Sequence, residues 1–165
     1  MITQDPQHST AHTARQMALS FVRLSIDDLE RVARLEANAH SHPWSKAQVL
    51  SALQHYHCWG VRSGADWAGF AVLSCVVGEA ELLDFVVAPE FQGQGVGSTL
   101  LAWLQNWAAT ELQAKRFYLE VRESNQAALA LYQNAGFVEV GIRAGYYPAR
   151  GGREDAVLMA MELIA

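Results

Sequence analysis

The chain has 165 residues, of which 51% are hydrophobic and 18% charged. That is the size and balance of one domain with a full core. No apolar run is long enough to span a bilayer, and a formal net charge of −5 argues against direct nucleic-acid binding while leaving room for a cationic substrate.

Residues 1–19 are polar and lack the apolar stretch of a secretory signal. They read as a flexible tail ahead of a domain at 20–165. "SFVRL" (20–24) reads as a strand. Ser25 opens a helical pattern, with Asp28 in a capping-box position, and Pro43 in "HPWS" ends it. Ser45 and Gln48 cap a second helix reaching about Gln54. "HCWGVRS", "WAGFAVLSCVV" and "AELLDFVV" follow at hairpin spacing, an antiparallel meander. Residues 97–113 have helical period, with Leu101, Leu104, Trp107, Ala108 and Leu112 on the buried side. "RFYLEV" is a strand, Ser124 opens a helix that Gly136 closes, and "FVEVGIRA" and "EDAVLMAMEL" are the last strands. The order βααβββαβαββ predicts one α/β domain, a mixed and mostly antiparallel sheet flanked by helices.

Cys58 and Cys75 are the only cysteines, lie in apolar strand-like runs and form no C-x-x-C pair. They read as buried, reduced thiols of a cytoplasmic protein. His40, His42, His55 and His57 flank the second helix near Cys58. No carboxylate or second thiol completes a ligand set in the sequence, so no metal is expected.

Between strand and helix lies "VVAPEFQGQGVGSTLL", with Gly93, Gly95 and Gly97 at alternate positions. A P-loop fails, because no lysine follows Gly97. A dinucleotide fingerprint fails too: its third glycine comes one residue early, and "APEFQ" intervenes after the strand. What remains is Q-x-x-G-x-G running into a helix, a pyrophosphate cradle in which main-chain N–H groups converge at a helix N-terminus. A ligand-free tight turn is the bland alternative. In "FYLEV", Glu120 is a carboxylate inside an apolar strand, and unpaired burial there would be costly. A partner such as Arg122 or Arg143 would account for it without catalysis.

"VAPEFQGQGVGSTLL" together with "LEVRESNQAALALYQNAGF" resembles the GNAT superfamily of acetyl-CoA-dependent N-acetyltransferases. "HPWS" and "IRAGYYPARGGREDAVLMAMEL" narrow the resemblance to its ribosomal-protein N-terminal alanine acetyltransferases, over about residues 20–163. The resemblance implies the GNAT fold and acetyl-CoA as cosubstrate. The acceptor it implies is the N-terminal peptide of a ribosomal small-subunit protein, met by a monomer. It gives Gly93, Gln94, Gly95, Val96, Gly97 and Ser98 the coenzyme pyrophosphate, with Asn125 as a further coenzyme contact. Phe85, Val86 and Val87 would offer free main-chain groups on a splayed strand to the pantetheine arm and the acetyl carbonyl. Glu120 would be the general base, through water, and Tyr132 the general acid. Tyr146 and Tyr147, with Arg150 and Arg153 near the tip, would form a hairpin on the peptide side. Other protein N-termini, lysines or small amines are alternative acceptors, and a non-catalytic acyl-CoA sensor is an alternative class.

Overall fold

A computed structural model describes residues 18–164, so the expected tail lies almost wholly outside the described residues. The strands are β1 (Leu19–Arg23), β2 (His57–Ser63), β3 (Asp66–Val76), β4 (Glu79–Val87), β5 (Arg116–Arg122), β6 (Val138–Ala149) and β7 (Gly152–Glu162). The helices are α1 (Leu29–Ala39), α2 (Lys46–His55), α3 (Val96–Thr110) and α4 (Gln126–Asn134). The seven-stranded sheet has the order β1-β2-β3-β4-β5-β7-β6. Only β4 and β5 pair in parallel; the other neighbours are antiparallel. Among the described residues no helix is long and apolar enough to cross a membrane.

Local chemistry sets most boundaries. The Ser25–Asp28 and Ser45–Gln48 capping boxes both form; the first closes a short 3-10 turn that leads into α1. Asn125, rather than Ser124, caps α4, its Oδ1 accepting the Ala128 N–H at 3.1 Å. Helix α3 stops at Thr110 rather than 113, and Gln113 turns left-handed at φ 53°.

Two cores hold the layers together. Leu100, Leu101, Leu104 and Ala108 of α3 pack on Leu82, Phe117 and Leu119 of the sheet. On the other face Val32 of α1 and Val49, Ala52 and Leu53 of α2 pack on Phe70, Val72 and Val86. Each large side chain so buried contributes roughly 1.5–3 kcal/mol. Trp107 is only partly buried, contrary to the sequence reading. It turns to an aromatic group with Trp59 and Trp103, capped by the Arg23 guanidinium. Cys75 is likewise only half-buried.

Strand β4 belongs to both cores because it carries a bulge. Leu82 pairs with Leu73 and Asp84 with Val72, leaving Leu83 as an extra residue. Leu82 faces α3, whereas Leu83 packs toward α1 and α2. Beyond the bulge Val86 joins the α1/α2 core, while Phe85 and Val87 pack toward α3. An inserted residue of this kind bends the strand and increases its twist.

Candidate active site

Pairing of β4 with β5 runs from Glu79↔Arg116 to Leu82↔Leu119 and stops at the bulge. Both strands continue, β4 to Val87 and β5 to Arg122, so they part and open a cleft. An inner cavity of about 350 Å³ has Asp84 and Phe85 on one wall, Glu120 and Arg122 on the other, and Tyr132 and Tyr147 beside them. Phe85, Asn125, Ala128 and Leu131 also line a second cavity of about 430 Å³, which reaches Gly93, Gly95, Gly97 and Ser98. The two form one continuous trough from the glycine loop to Glu120.

The glycines serve two purposes. Gly93 and Gly95 are left-handed at φ 72° and 83°, and a Cβ on either would meet nothing within 4 Å. Their backbone favours glycine, and the space above them is open. Gly97 instead faces β4 and α4, where a Cβ would lie at ordinary contact distance, 3.4 Å from Val87 Cγ2 and 3.5 Å from Leu131 Cδ2. The Thr99 N–H donates to Gly95 O at 3.0 Å, which leaves the N–H groups of Val96, Gly97 and Ser98 without intrahelical acceptors. These donors sit at the positive end of the helix. Gln94 and Val96 can contribute main chain only. The Gln94 amide donates to Glu90 O at 2.9 Å, and the Val96 side chain is buried in the core.

Just beyond β4 the Ala88 N–H donates to Ala68 O on β3. By alternation the main-chain groups of Phe85 and Val87 point toward the cleft. Two of them are already engaged. Gln92 Nε2 donates to Val87 O at 3.0 Å, and the Phe85 N–H donates to Asp84 Oδ1 at 2.9 Å. The Val87 N–H and Phe85 carbonyl remain for an extended ligand arm.

Glu120 is mostly buried and has Arg143 Nη2 3.2 Å from its Oε1. Arg122 is occupied elsewhere, donating to Glu154 Oε1 at 2.8 Å and Pro148 O at 2.7 Å. Glu120 also borders an outer cavity of about 540 Å³ that holds Arg143 and Tyr118, so its carboxylate stands in the wall between two spaces. Tyr132 is 7% exposed and meets Phe85 and Phe137 edge-on, with ring centres 6.2 and 5.9 Å away. Burial pushes its phenol well above the ordinary tyrosine range, and the nearby Asp84 and Tyr147 add to the rise.

The hairpin of β6 and β7 closes one end of the cleft. Register slips between Arg143 and Tyr147, and left-handed Gly145 sits in that bulge at φ 59°. Its N–H donates to Asp155 Oδ1 at 2.8 Å. Arg153 donates to Gly145 O and, at 2.9 Å, to Tyr146 O. It is thus a brace of the hairpin. Tyr147 lines the cleft and Tyr146 is exposed.

Among the described residues the histidines do not converge on one point. His55 Nδ1 contacts Ser51 O at 2.9 Å, His57 pairs with Arg23, and Cys58 is held to Ala52 O. His40 instead joins two acids from distant parts of the chain, Glu36 and Asp84. The near oxygen of each acid already accepts a main-chain N–H, from Trp44 at 2.8 Å and from Phe85 at 2.9 Å, so we read this as a hydrogen-bonded group. Sequence reasoning passed over it. The criterion that singled out Glu120 in "FYLEV", a lone acid in an apolar strand, applies equally to Asp84 in "ELLDFVV".

Residues 24–137 match the model of the acetyltransferase (GNAT) family. The chain is a GNAT acetyltransferase. Ribosomal protein bS18-alanine N-acetyltransferase of Escherichia coli is 38% identical to it over 144 residues, 85% of this chain and 95% of the relative. The enzyme of that name from Salmonella typhimurium is 39% identical over 145 residues, with the same coverage. The crystal structure of the Escherichia coli enzyme superposes with a TM-score of 0.84 at 36% identity, covering 90% of this chain and 96% of that one. This GNAT acetyltransferase is therefore an acyltransferase, of a family that uses acetyl-CoA. Its left-handed glycines, free helix N-terminus and parted strands fit that cosubstrate.

Proposed function

We propose that this acetyltransferase acetylates the N-terminal amine of a protein, specifically the alanine-first N-terminus of ribosomal protein bS18. The observation that carries the reading is the unbroken trough joining the glycine loop to Glu120 and Tyr132. The activity named for the relatives at 38–39% identity supports the choice of acceptor.

Acetyl-CoA supplies an activated acetyl thioester. The N–H donors of 96–98 and the open glycines hold its phosphates, and Asn125 lines both cavities. Glu120 receives the proton that the acceptor amine must lose, through water. At pH 7 an α-amino group costs about 1.4 kcal/mol to deprotonate and a lysine about 4.6, so a single mostly buried carboxylate suits the former. Tyr132 donates a proton toward the departing sulfur. Its raised pKa keeps the donor neutral at working pH, and the same dry surroundings raise the basicity of the thiolate it serves.

A free-thiol release assay with acetyl-CoA and an acceptor panel tests this. Alanine-first basic peptides should give the highest kcat/KM. A preference for polyamines or internal lysines overturns the acceptor, and binding of acetyl-CoA without turnover on any amine overturns catalysis.

A further inference from the structure

The group at Glu36, His40 and Asp84 has a feature that ordinary salt-bridge chemistry leaves unexplained. Glu36 is 0% exposed and Asp84 9%. Each satisfies one carboxyl oxygen with a main-chain N–H. The other two oxygens, Glu36 Oε2 and Asp84 Oδ2, are buried and have no donor. Two buried carboxyl oxygens without donors would be costly if both acids were ionised. A proton between them satisfies both at once.

We propose that Glu36 and Asp84 share one proton, and that this bond is a positioning latch tying α1 and the following connector to β4 at the thioester end of the cleft. Glu36 receives the Trp44 N–H and lies 3.0 Å from His40 Nδ1, which fixes the connector after α1. Asp84 holds the Phe85 N–H, the cleft-facing donor nearest the bulge. The latch therefore joins the connector after α1 to the main-chain donor of Phe85 in the cleft.

Electrostatics agrees in direction. Burial, then the bond to Glu36, pushes Asp84 up to about 8, while Glu36 is held below its ordinary value. His40 is raised by its bond to Glu36. The other groups around Asp84 are His42 from the connector after α1, Cys58 from β2, Tyr132 from α4, Glu120 and Arg122 from β5, and Tyr147 from β6. Cys58 is pushed up to about 11 and Tyr147 to about 12, both mainly by burial. Neither titrates between pH 7 and 9. Raising the pH through 8 removes the shared proton and sets two carboxylates against each other.

The first test needs no turnover. With carbon-13 at the aspartate carboxyls, the resonance absent from Asp84→Asn should titrate near pH 8 in the parental chain. Titration in the acid range with the other aspartates overturns the proposal. The second test rests on the acetyl-transfer reading. An amide at 84 donates permanently to Glu36, so the rate of Asp84→Asn relative to the parent should rise about tenfold between pH 7 and 9, as one ionisation demands. A flat ratio overturns the latch as a positioning element, even if the resonance titrates near pH 8. His40→Asn should keep the parental alkaline fall; its disappearance would assign the fall to the histidine. Calorimetry with Zn²⁺ and Mn²⁺ should show no stoichiometric binding that depends on Asp84. Such binding would make the group an ion site instead.

Discussion

Arg143 sets a guanidinium nitrogen 3.2 Å from Glu120 Oε1, and it does so from the outer cavity, while Tyr132 approaches from the inner one. The carboxylate is thereby oriented from behind. Arg143 is about half exposed, so its pair is worth only about 0.2–1 kcal/mol of stability. Arg143→Ala should lower kcat by less than about tenfold, leaving acetyl-CoA affinity and Tm nearly unchanged. A loss as large as that from altering Glu120 itself, measured under the same conditions, would mean that Arg143 meets the acceptor directly.

Glu120→Gln keeps the shape and removes the proposed base. Turnover should fall by about 10²–10⁴-fold with acetyl-CoA affinity intact. Rising pH should restore part of the rate, because the acceptor amine then sheds its proton unaided. A variant rate that stays at the parental level from pH 6 to 9 would assign the proton transfer elsewhere.

Tyr132→Phe should also reduce turnover, but without alkaline recovery, since its proposed role is to give a proton rather than take one. The sign follows from burial: the phenol is raised, so it remains protonated and competent across the assay range. A pH–rate profile for the variant that mirrors Glu120→Gln would contradict the division of labour.

Gly95 faces open space yet is left-handed, so Gly95→Val combines strain with occlusion. Gly95→Asn separates them, because asparagine tolerates this conformation. Both should weaken acetyl-CoA binding in calorimetry. Gly64→Ala, at φ 62° in the β2–β3 turn, should cost about 1 kcal/mol of stability and leave coenzyme affinity alone. Unchanged affinity in Gly95→Asn would return the loop to the status of an unoccupied turn.

Burial pushes the Cys58 thiol up to about 11, and it is 1% exposed. Below that pH it stays protonated and shielded. Cys75 is half-buried. Maleimide labelling of the native chain at pH 8, read by mass spectrometry, should place the first adduct on Cys75 and spare Cys58 until unfolding. Early labelling of Cys58 would show that β2 opens locally.

The element order and both capping boxes were legible because they depend on neighbours within four residues and on periods of 2 and 3.6. The glycine loop was legible for the same reason. What escaped depends on pairing between distant segments. The extra residue at Leu83 has no local signature, since a bulge exists only relative to Val72 and Leu73 across the sheet. The slip that places Gly145 is likewise defined only against β7. The meeting of Glu36 with Asp84 joins residues 48 positions apart in the chain. Trp107 fitted the helical stripe, but β2 places Trp59 beside it and the stripe divides between aliphatic core and aromatic edge.

Leu83 gives β4 one residue more than regular pairing needs. Without it, Leu82 and Asp84 would still fall on the faces they now occupy, and the strand would run straight beside β5 past Leu119. The result would be a better-zipped sheet with nowhere to thread a coenzyme. Room for chemistry here is a surplus of a single amino acid, and deleting it should give a chain that melts at a higher temperature and no longer recognises acetyl-CoA.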